Sequence, residues 1–229
     1  MKVNEIEGVG MDRVAALFDL DKTLLDATSG WLYARYMYRK GRMTRRDLAR
    51  VMWWNLLNKL GILSMEAFFL RWIAEGAGVD AEEMQQACDL WFMEDVLPHL
   101  TEIGRQRVAE HQAQGHVVAI VSASTQYVVR PMAAYLGLGE RYVCTRLRIR
   151  DGRLTGEVES PICYGPGKVV WAERFAAEEG LDLGRSYFYT DSISDRPLLE
   201  RVGHPVAVNP DRRLRKLAQQ RGWPIEYFW

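Results

Sequence analysis

Cysteine is scarce in this chain and its spacing carries no message. Cys88, Cys144 and Cys163 are odd in number and scattered. They exclude a disulfide framework and a Cys-based zinc site, and they suit a reducing cytoplasm. Histidine is nearly as scarce. His99, His111, His116 and His204 show no ligand spacing, so each is expected to be a surface or internally satisfied residue. No apolar run approaches the length of a membrane span. Net charge is absent too. Thirty basic residues balance thirty acidic ones, which removes any general attraction to nucleic acid. The first residues carry Glu5 and Glu7 and no apolar segment, so Met1 to Arg13 reads as a short leader and not as a secretory signal.

What remains is an ordinary globular composition, 48% hydrophobic and 26% charged. The 229 residues suffice for one large domain or a domain with an insertion. The chain is organised around Asp19-Leu20-Asp21-Lys22-Thr23. The apolar stretch Val14 to Phe18 runs straight into it without polar alternation. That pattern fits a strand buried on both faces of a parallel sheet. Ligands of such sheets bind outside the carboxyl ends of the strands. A D-x-D placed there can supply a nucleophile, a proton donor and metal oxygens.

From about Gly30 to Met93 only helix signals follow. Thr44 with Asp47 and Asp80 with Glu83 are candidate helix starts, the second the better capping box. Gly41, Gly61 and Gly76-Ala77-Gly78 punctuate the segment. Three or four helices with no strand between them form an insertion, too long for one crossover helix. Its first half is basic: Arg35, Arg39, Lys40, Arg42, Arg45, Arg46 and Arg50. Its second half is acidic, with no Lys or Arg from Trp72 to Gly104. The halves are expected to face each other or water. The segment also holds Trp31, Trp53, Trp54, Trp72 and Trp91, expected in core packing, with a membrane-interface face or an aromatic pocket as alternatives.

Regular alternation resumes at Pro98. Leu97 to Gln114 reads as a helix, and Val117 to Val121 as a second buried strand. Ser122-Ala123-Ser124-Thr125 then leads into a helix from Gln126 to Leu136. Small hydroxyl residues at a helix N-terminus make an anion site, although Ser124 or Thr125 can equally be a plain N-cap. Tyr142 to Thr145 is a third strand. Asp151-Gly152 between alternating runs marks a hairpin. Lys168 opens a helix behind Gly165-Pro166-Gly167; a lysine there is usually solvated and mildly disfavoured by the dipole, an argument that a bound anion would reverse. Ser186 to Thr190 is a fourth strand ending on Asp191, with Asp195 four residues later. Pro205 to Val208 is a fifth strand, Asp211 to Arg221 a basic helix, and the aromatic tail from Trp223 is expected to pack on the body.

This set of motifs, in this order, resembles the haloacid dehalogenase superfamily. It looks like the branch containing phosphoserine phosphatase, whose cap is inserted just after the first motif. The resemblance implies an α/β fold: a doubly wound, Rossmann-like parallel sheet formed by residues 1–25 and 96–229, with an α-helical cap at 26–95. It implies a magnesium-dependent phosphomonoester hydrolase. Asp19 would attack phosphorus and form an aspartyl-phosphate. Asp21 would protonate the leaving group and then activate water. Thr23 would brace the loop. Ser122, Ala123 and Lys168 would hold the phosphoryl oxygens. Asp191, with Asp19 and the backbone carbonyl of Asp21, would bind magnesium, and Asp195 would sit in or beside the metal shell.

Electrostatics agrees with that assignment. Two unit charges about 4 Å apart repel by roughly 4 kcal/mol at an effective dielectric of about 20. A cluster of carboxylates therefore calls for a cation, and an all-oxygen donor set favours magnesium over zinc. Asp21 separates phosphatases from dehalogenases, in which halide leaves without a proton. A P-type ATPase is excluded because Leu24-Leu25 stands where that family has Gly-Thr. In phosphoserine phosphatases a glutamate nine residues after the nucleophile helps bind the substrate amine. Here that position is Thr28, which argues against phosphoserine itself. In that branch a cap arginine binds the substrate carboxylate, and the resemblance implies Arg71 as its counterpart. The expected substrate is another small phosphomonoester, such as an amino-alcohol or histidinol phosphate. The alternatives are a lipid head-group phosphate at a membrane surface and a non-catalytic binding protein on the same fold.

Overall fold

The computed structural model describes residues 13–59 and 65–229. Residues 1–12 of the expected leader and Gly61 lie outside the described residues, as does the side chain of Trp54. In chain order, β1 (Ala15–Phe18) runs into an irregular turn. Four helices follow: α1 (Ser29–Arg39), α2 (Arg45–Lys59), α3 (Met65–Glu75) and α4 (Ala81–Trp91). Then come α5 (Glu102–Ala113), β2 (Val117–Thr125), α6 (Gln126–Tyr135), β3 (Tyr142–Thr145), the hairpin β4 (Leu147–Arg150) and β5 (Arg153–Val158), and α7 (Pro166–Glu179). The chain closes with β6 (Tyr187–Thr190), α8 (Arg196–Leu199), β7 (His204–Val208), α9 (Arg212–Arg221) and β8 (Ile225–Glu226).

Six strands form one parallel sheet in the order β3-β2-β1-β6-β7-β8. The unbroken apolar runs are explained by burial on both faces. Ala16 and Phe18 point to the side covered by α5, α6 and parts of α1 and α4. Ala15 and Leu17 point to the side covered by α7, α8 and α9. The chain winds outward from β1 in both directions, so the crevice between β1 and its neighbours is a topological switch point.

Several details depart from the sequence reading. The helix expected from Leu97 breaks. Leu97–His99 is a single 3-10 turn, Leu100 bridges to Leu25, and Thr101 caps α5 by accepting from the Gly104 amide. A sixth strand, β8, arises in the aromatic tail because Pro224 and Glu226 offer carbonyls to β7 and to Asn209. The insertion also has one strand-like contact. Gly78 and Ala81 donate to Leu154 and Gly152 of the hairpin, and Asp80 bridges to Arg153. The better capping box is the first of the two candidates. Thr44 and Asp47 exchange bonds reciprocally, whereas Asp80 caps α4 alone. Of the tryptophans whose side chains are described, only Trp91 is buried; Trp53 and Trp72 are exposed on α2 and α3. The basic and acidic halves meet at buried Asp95, which takes Arg39 and, more distantly, Arg35.

His111 is buried with both ring nitrogens bonded, to His116 (2.8 Å) and to the Tyr189 hydroxyl (2.8 Å). Burial, then the neighbouring His116, pushes its pKa down to about 4. The unfolded chain therefore binds this proton first, and the contribution of His111 to stability falls as pH drops from about 6.5 towards 4. His111 is expected to contribute a loss of stability between neutral pH and pH 4. Urea midpoints of wild type minus those of His111→Gln across that range check it: the difference should shrink as pH falls.

Candidate active site

The D-x-D segment folds as an irregular turn at the carboxyl end of β1. Lys22 sits at φ 57° and Asp21 at ψ 125°, and the Leu25 amide closes the turn on the Leu20 carbonyl at 2.9 Å. Asp19 is thereby fixed directly beyond the strand, its amide bonded to the Tyr189 carbonyl of β6. Thr23 is fully buried in the turn, and among the described residues its hydroxyl has no hydrogen-bond partner. It fills space inside the turn.

Lys168 enters from the first turn of α7. That turn is reached through Gly165-Pro166-Gly167, and a Cβ on Gly167 would lie 1.9 Å from the Ile162 carbonyl oxygen. Only glycine permits that approach. The Lys168 ammonium donates to Asp19 Oδ1 at 2.6 Å and to Asp195 Oδ2 at 2.7 Å. All three side chains are almost fully buried. The unfavourable helix dipole is thus answered by two carboxylates of the protein itself. Thr190 donates a further bond to Asp195 Oδ2 at 2.7 Å. Asp195 therefore anchors the lysine.

Burial dominates the electrostatics. It pushes Asp19 up to about 7; Lys168 opposes the shift, and Asp195 and Asp21 add to it. Burial works against the charge on Lys168, yet Asp19 and Asp195 together hold its pKa above the ordinary value. Asp191, just past β6, is pushed up to about 8 by burial and by the charges of Asp19 and Asp195. Its carboxylate has no hydrogen-bond donor among the described residues. Asp21 is raised by burial, against the bonds it accepts.

Asp21 turns towards α1. Its carboxylate accepts the Ser29 amide at 2.7 Å, the Ser29 hydroxyl at 3.0 Å and the Ser124 hydroxyl at 3.3 Å. The two hydroxyls lie 2.8 Å apart. Three oxygens thus share three contacts. Ser122 is buried in β2 and accepts the Ser124 amide at 3.1 Å. Ala123 lies half-buried where the β2–β3 register shifts.

The structure gathers Asp19, Asp195 and Lys168 by direct bonds and sets Asp21 and Ser122 on the adjoining strand ends. Thr28 is at the N-cap of α1, half-buried, and makes no capping bond. Arg71 is not brought to the cluster. It lies on the outer side of α3, two residues from buried Ile73, with Glu75 as its ion-pair partner at 3.8 Å. Ser29 and Thr190 went unnoticed in the sequence. The signal for Ser29 was a helix start eight residues beyond an acid, since a helix N-terminus attracts a carboxylate.

Asp19 and Asp191 are crowded, raised carboxylates, whose oxygens are the kind of donor a divalent cation takes. Among the described residues, as they stand without a cation, no group of three or more His, Cys, Asp or Glu side chains converges as a metal site.

Comparison with known proteins identifies the family. A model of the haloacid dehalogenase-like hydrolases matches residues 16–200. A histidinol-phosphatase of Neisseria meningitidis is 32% identical, over 93% of this chain and 98% of its own length. The crystal structure of a Bordetella pertussis protein of unknown function is 35% identical and superposes with a TM-score of 0.84, covering 95% of this chain and 99% of that one. A phosphoserine phosphatase structure superposes with a TM-score of 0.68 at 23% identity, over 95% of this chain and 94% of its own, a likeness of fold. The chain belongs to the haloacid dehalogenase-like hydrolase family.

Proposed function

We propose that this protein is a magnesium-dependent phosphomonoester hydrolase working through an aspartyl-phosphate on Asp19. The observation that carries the reading is the buried ammonium of Lys168 held between Asp19 and Asp195, with Asp21 two residues from the nucleophile. Asp19 attacks phosphorus. Asp21 gives its proton to the leaving oxygen and later takes one from water. Lys168 and the Ser122–Ala123 stretch hold the phosphoryl oxygens, and Asp195 and Thr190 hold Lys168. Asp19, Asp191 and the backbone carbonyl of Asp21 would bind magnesium. When bound, magnesium supplies charge that lets a phosphate dianion approach carboxylates and stabilises its oxygens in the transition state.

Residues 26–95 are proposed as a cap that selects the leaving group. Both ends of the segment meet beside the nucleophile, which supports this. Leu25 bridges Leu100, the Thr101 amide donates to Leu24, and Asp26 pairs with His99 at 2.6 Å. The substrate proposed is a small amino-alcohol phosphate such as histidinol phosphate, supported by the full-length match to the Neisseria enzyme. A second reading, a lipid head-group phosphate, draws on Met52 and Trp53, each 58% exposed on α2 beside Arg45, Arg46 and Arg50. Among the described residues no helix is long and apolar enough to cross a membrane, so such contact would be at the surface.

A phosphometabolite panel that includes liposome-presented lipid phosphates tests the reading. Turnover is expected with magnesium and not in excess chelator, with calcium a poor substitute. Activity on lipid phosphates alone would move the assignment to the second reading, and full activity in chelator would reject the metal. Stability gives a further readout. Raised carboxylates cost stability as pH climbs from about 4 through their folded values near 7 and 8. Magnesium should therefore raise Tm, and by more at pH 8 than at pH 6.

A further inference from the structure

A proton donor is useful only if its proton arrives at one point, and the turn carrying Asp21 does little to aim it. Asp21 lies in extended backbone and Lys22 in the left-handed region, so no helical neighbour restricts the side chain. We infer that Ser29 and Ser124 are positioning residues that aim Asp21 at the leaving oxygen, and that the aim is set jointly by the helical insertion and the core sheet. The inference rests on the phosphatase reading and deepens it.

Four contacts carry the inference. Ser29 reaches Asp21 twice, through its amide to Oδ1 (2.7 Å) and its hydroxyl to Oδ2 (3.0 Å), which fixes both oxygens. Ser124 reaches Oδ2 at 3.3 Å and braces the Ser29 hydroxyl at 2.8 Å. Among the described residues no other group donates to this carboxylate. Ser29 is the first residue of α1 and is 4% exposed, so the bond cannot be exchanged freely for water. Ser124 belongs to the other side of the boundary, in the last residues of β2. The Asp21 carboxyl is thus clamped between two bodies of the fold. Proton transfer is then aligned only while α1 sits against the sheet.

In the step concerned, a bond forms from an Asp19 oxygen to phosphorus. The bond from phosphorus to the ester oxygen breaks, and the proton of Asp21 passes to that oxygen. A basic leaving oxygen needs the proton; nitrophenolate leaves without it. Misplacing a catalytic group by about 1 Å can cost roughly a hundredfold. Loss of aim should therefore appear as a steeper dependence of rate on leaving-group basicity.

The test compares 4-nitrophenyl, phenyl and benzyl phosphate with the full chain in magnesium, for wild type, Ser29→Ala, Ser124→Ala and Ser29→Thr. For the two alanine variants, kcat/KM should fall by roughly tenfold to a hundredfold more on benzyl than on 4-nitrophenyl phosphate. Ser29→Thr, which keeps a hydroxyl, should return the wild-type slope. A parallel loss on all three esters, or an unchanged slope in both alanine variants, would overturn the inference. Should Ser29→Ala fail to fold by circular dichroism, Ser124→Ala decides by the same slope. If wild type turns over neither these esters nor any member of the phosphometabolite panel, the phosphatase reading itself falls, and this inference with it.

Discussion

Asp19→Asn is expected to cut phosphomonoester turnover by more than about a thousandfold, as nucleophile removal does in other covalent enzymes. An amide nitrogen or oxygen cannot form the acyl-phosphate bond. The fold should survive. Asp19 is buried and its carboxylate is raised by that burial, so a neutral amide of the same shape removes a desolvated charge that the site otherwise has to hold. Lys168 keeps Asp195 as its partner. Steady-state rates on 4-nitrophenyl phosphate, together with Tm, check both halves. Residual turnover above a few per cent in a contaminant-free preparation would move the nucleophile elsewhere.

Lys168→Ala should damage stability and activity together. The ammonium neutralises two buried carboxylates at 2.6 and 2.7 Å. Its removal leaves them uncompensated, which costs about 3–5 kcal/mol in buried pairs. Turnover should fall by roughly a hundredfold to a thousandfold as the phosphoryl oxygens lose a charged donor. The pH dependence identifies the cause. A carboxylic acid whose folded pKa exceeds its unfolded value costs stability only as pH rises above about 4. The deficit of the variant should therefore be largest at neutral pH and shrink towards pH 4, by denaturant midpoints. A loss equal at both pH values would point to lost packing by the lysine stem, not to unpaired charge.

The sheet was legible because both of its faces are covered. Val14 to Phe18 and Val117 to Val121 carry no alternation, and that signature survives without tertiary information. The acids at the strand ends were legible for the same reason, since a buried strand ending on Asp19 or Asp191 has to deliver that acid to the crevice. β8 was not legible, because two residues carry no period and its pairing depends on β7 being in place. The break before Thr101 was hidden by helix-compatible residues on both sides. It exists because Leu100 pairs with Leu25, a contact 75 residues away. No local pattern says which face of α3 looks inward; buried Ile73 decides it and leaves Arg71 exposed beside Glu75. Ser124 was read as an anion-site or N-cap residue. Its hydroxyl instead joins Ser29 at Asp21, and Thr125 stands at the N-cap of α6 without a side-chain bond. Ser29 had only the weak signal of a helix start eight residues past an acid, and the Ser124 contact crosses the insertion boundary, which sequence spacing does not encode.

The claim on which the account turns is a phosphoryl group carried covalently by Asp19. Rapid acid quench during turnover of a good substrate, followed by peptide mass spectrometry, addresses it directly. One phosphoryl group is expected on the peptide containing Asp19 in wild type, absent from Asp19→Asn and lost on mild alkaline treatment, as an acyl-phosphate requires. A phosphoryl group on Ser122 or a histidine, or steady turnover with none on the protein at any quench time, would contradict the account.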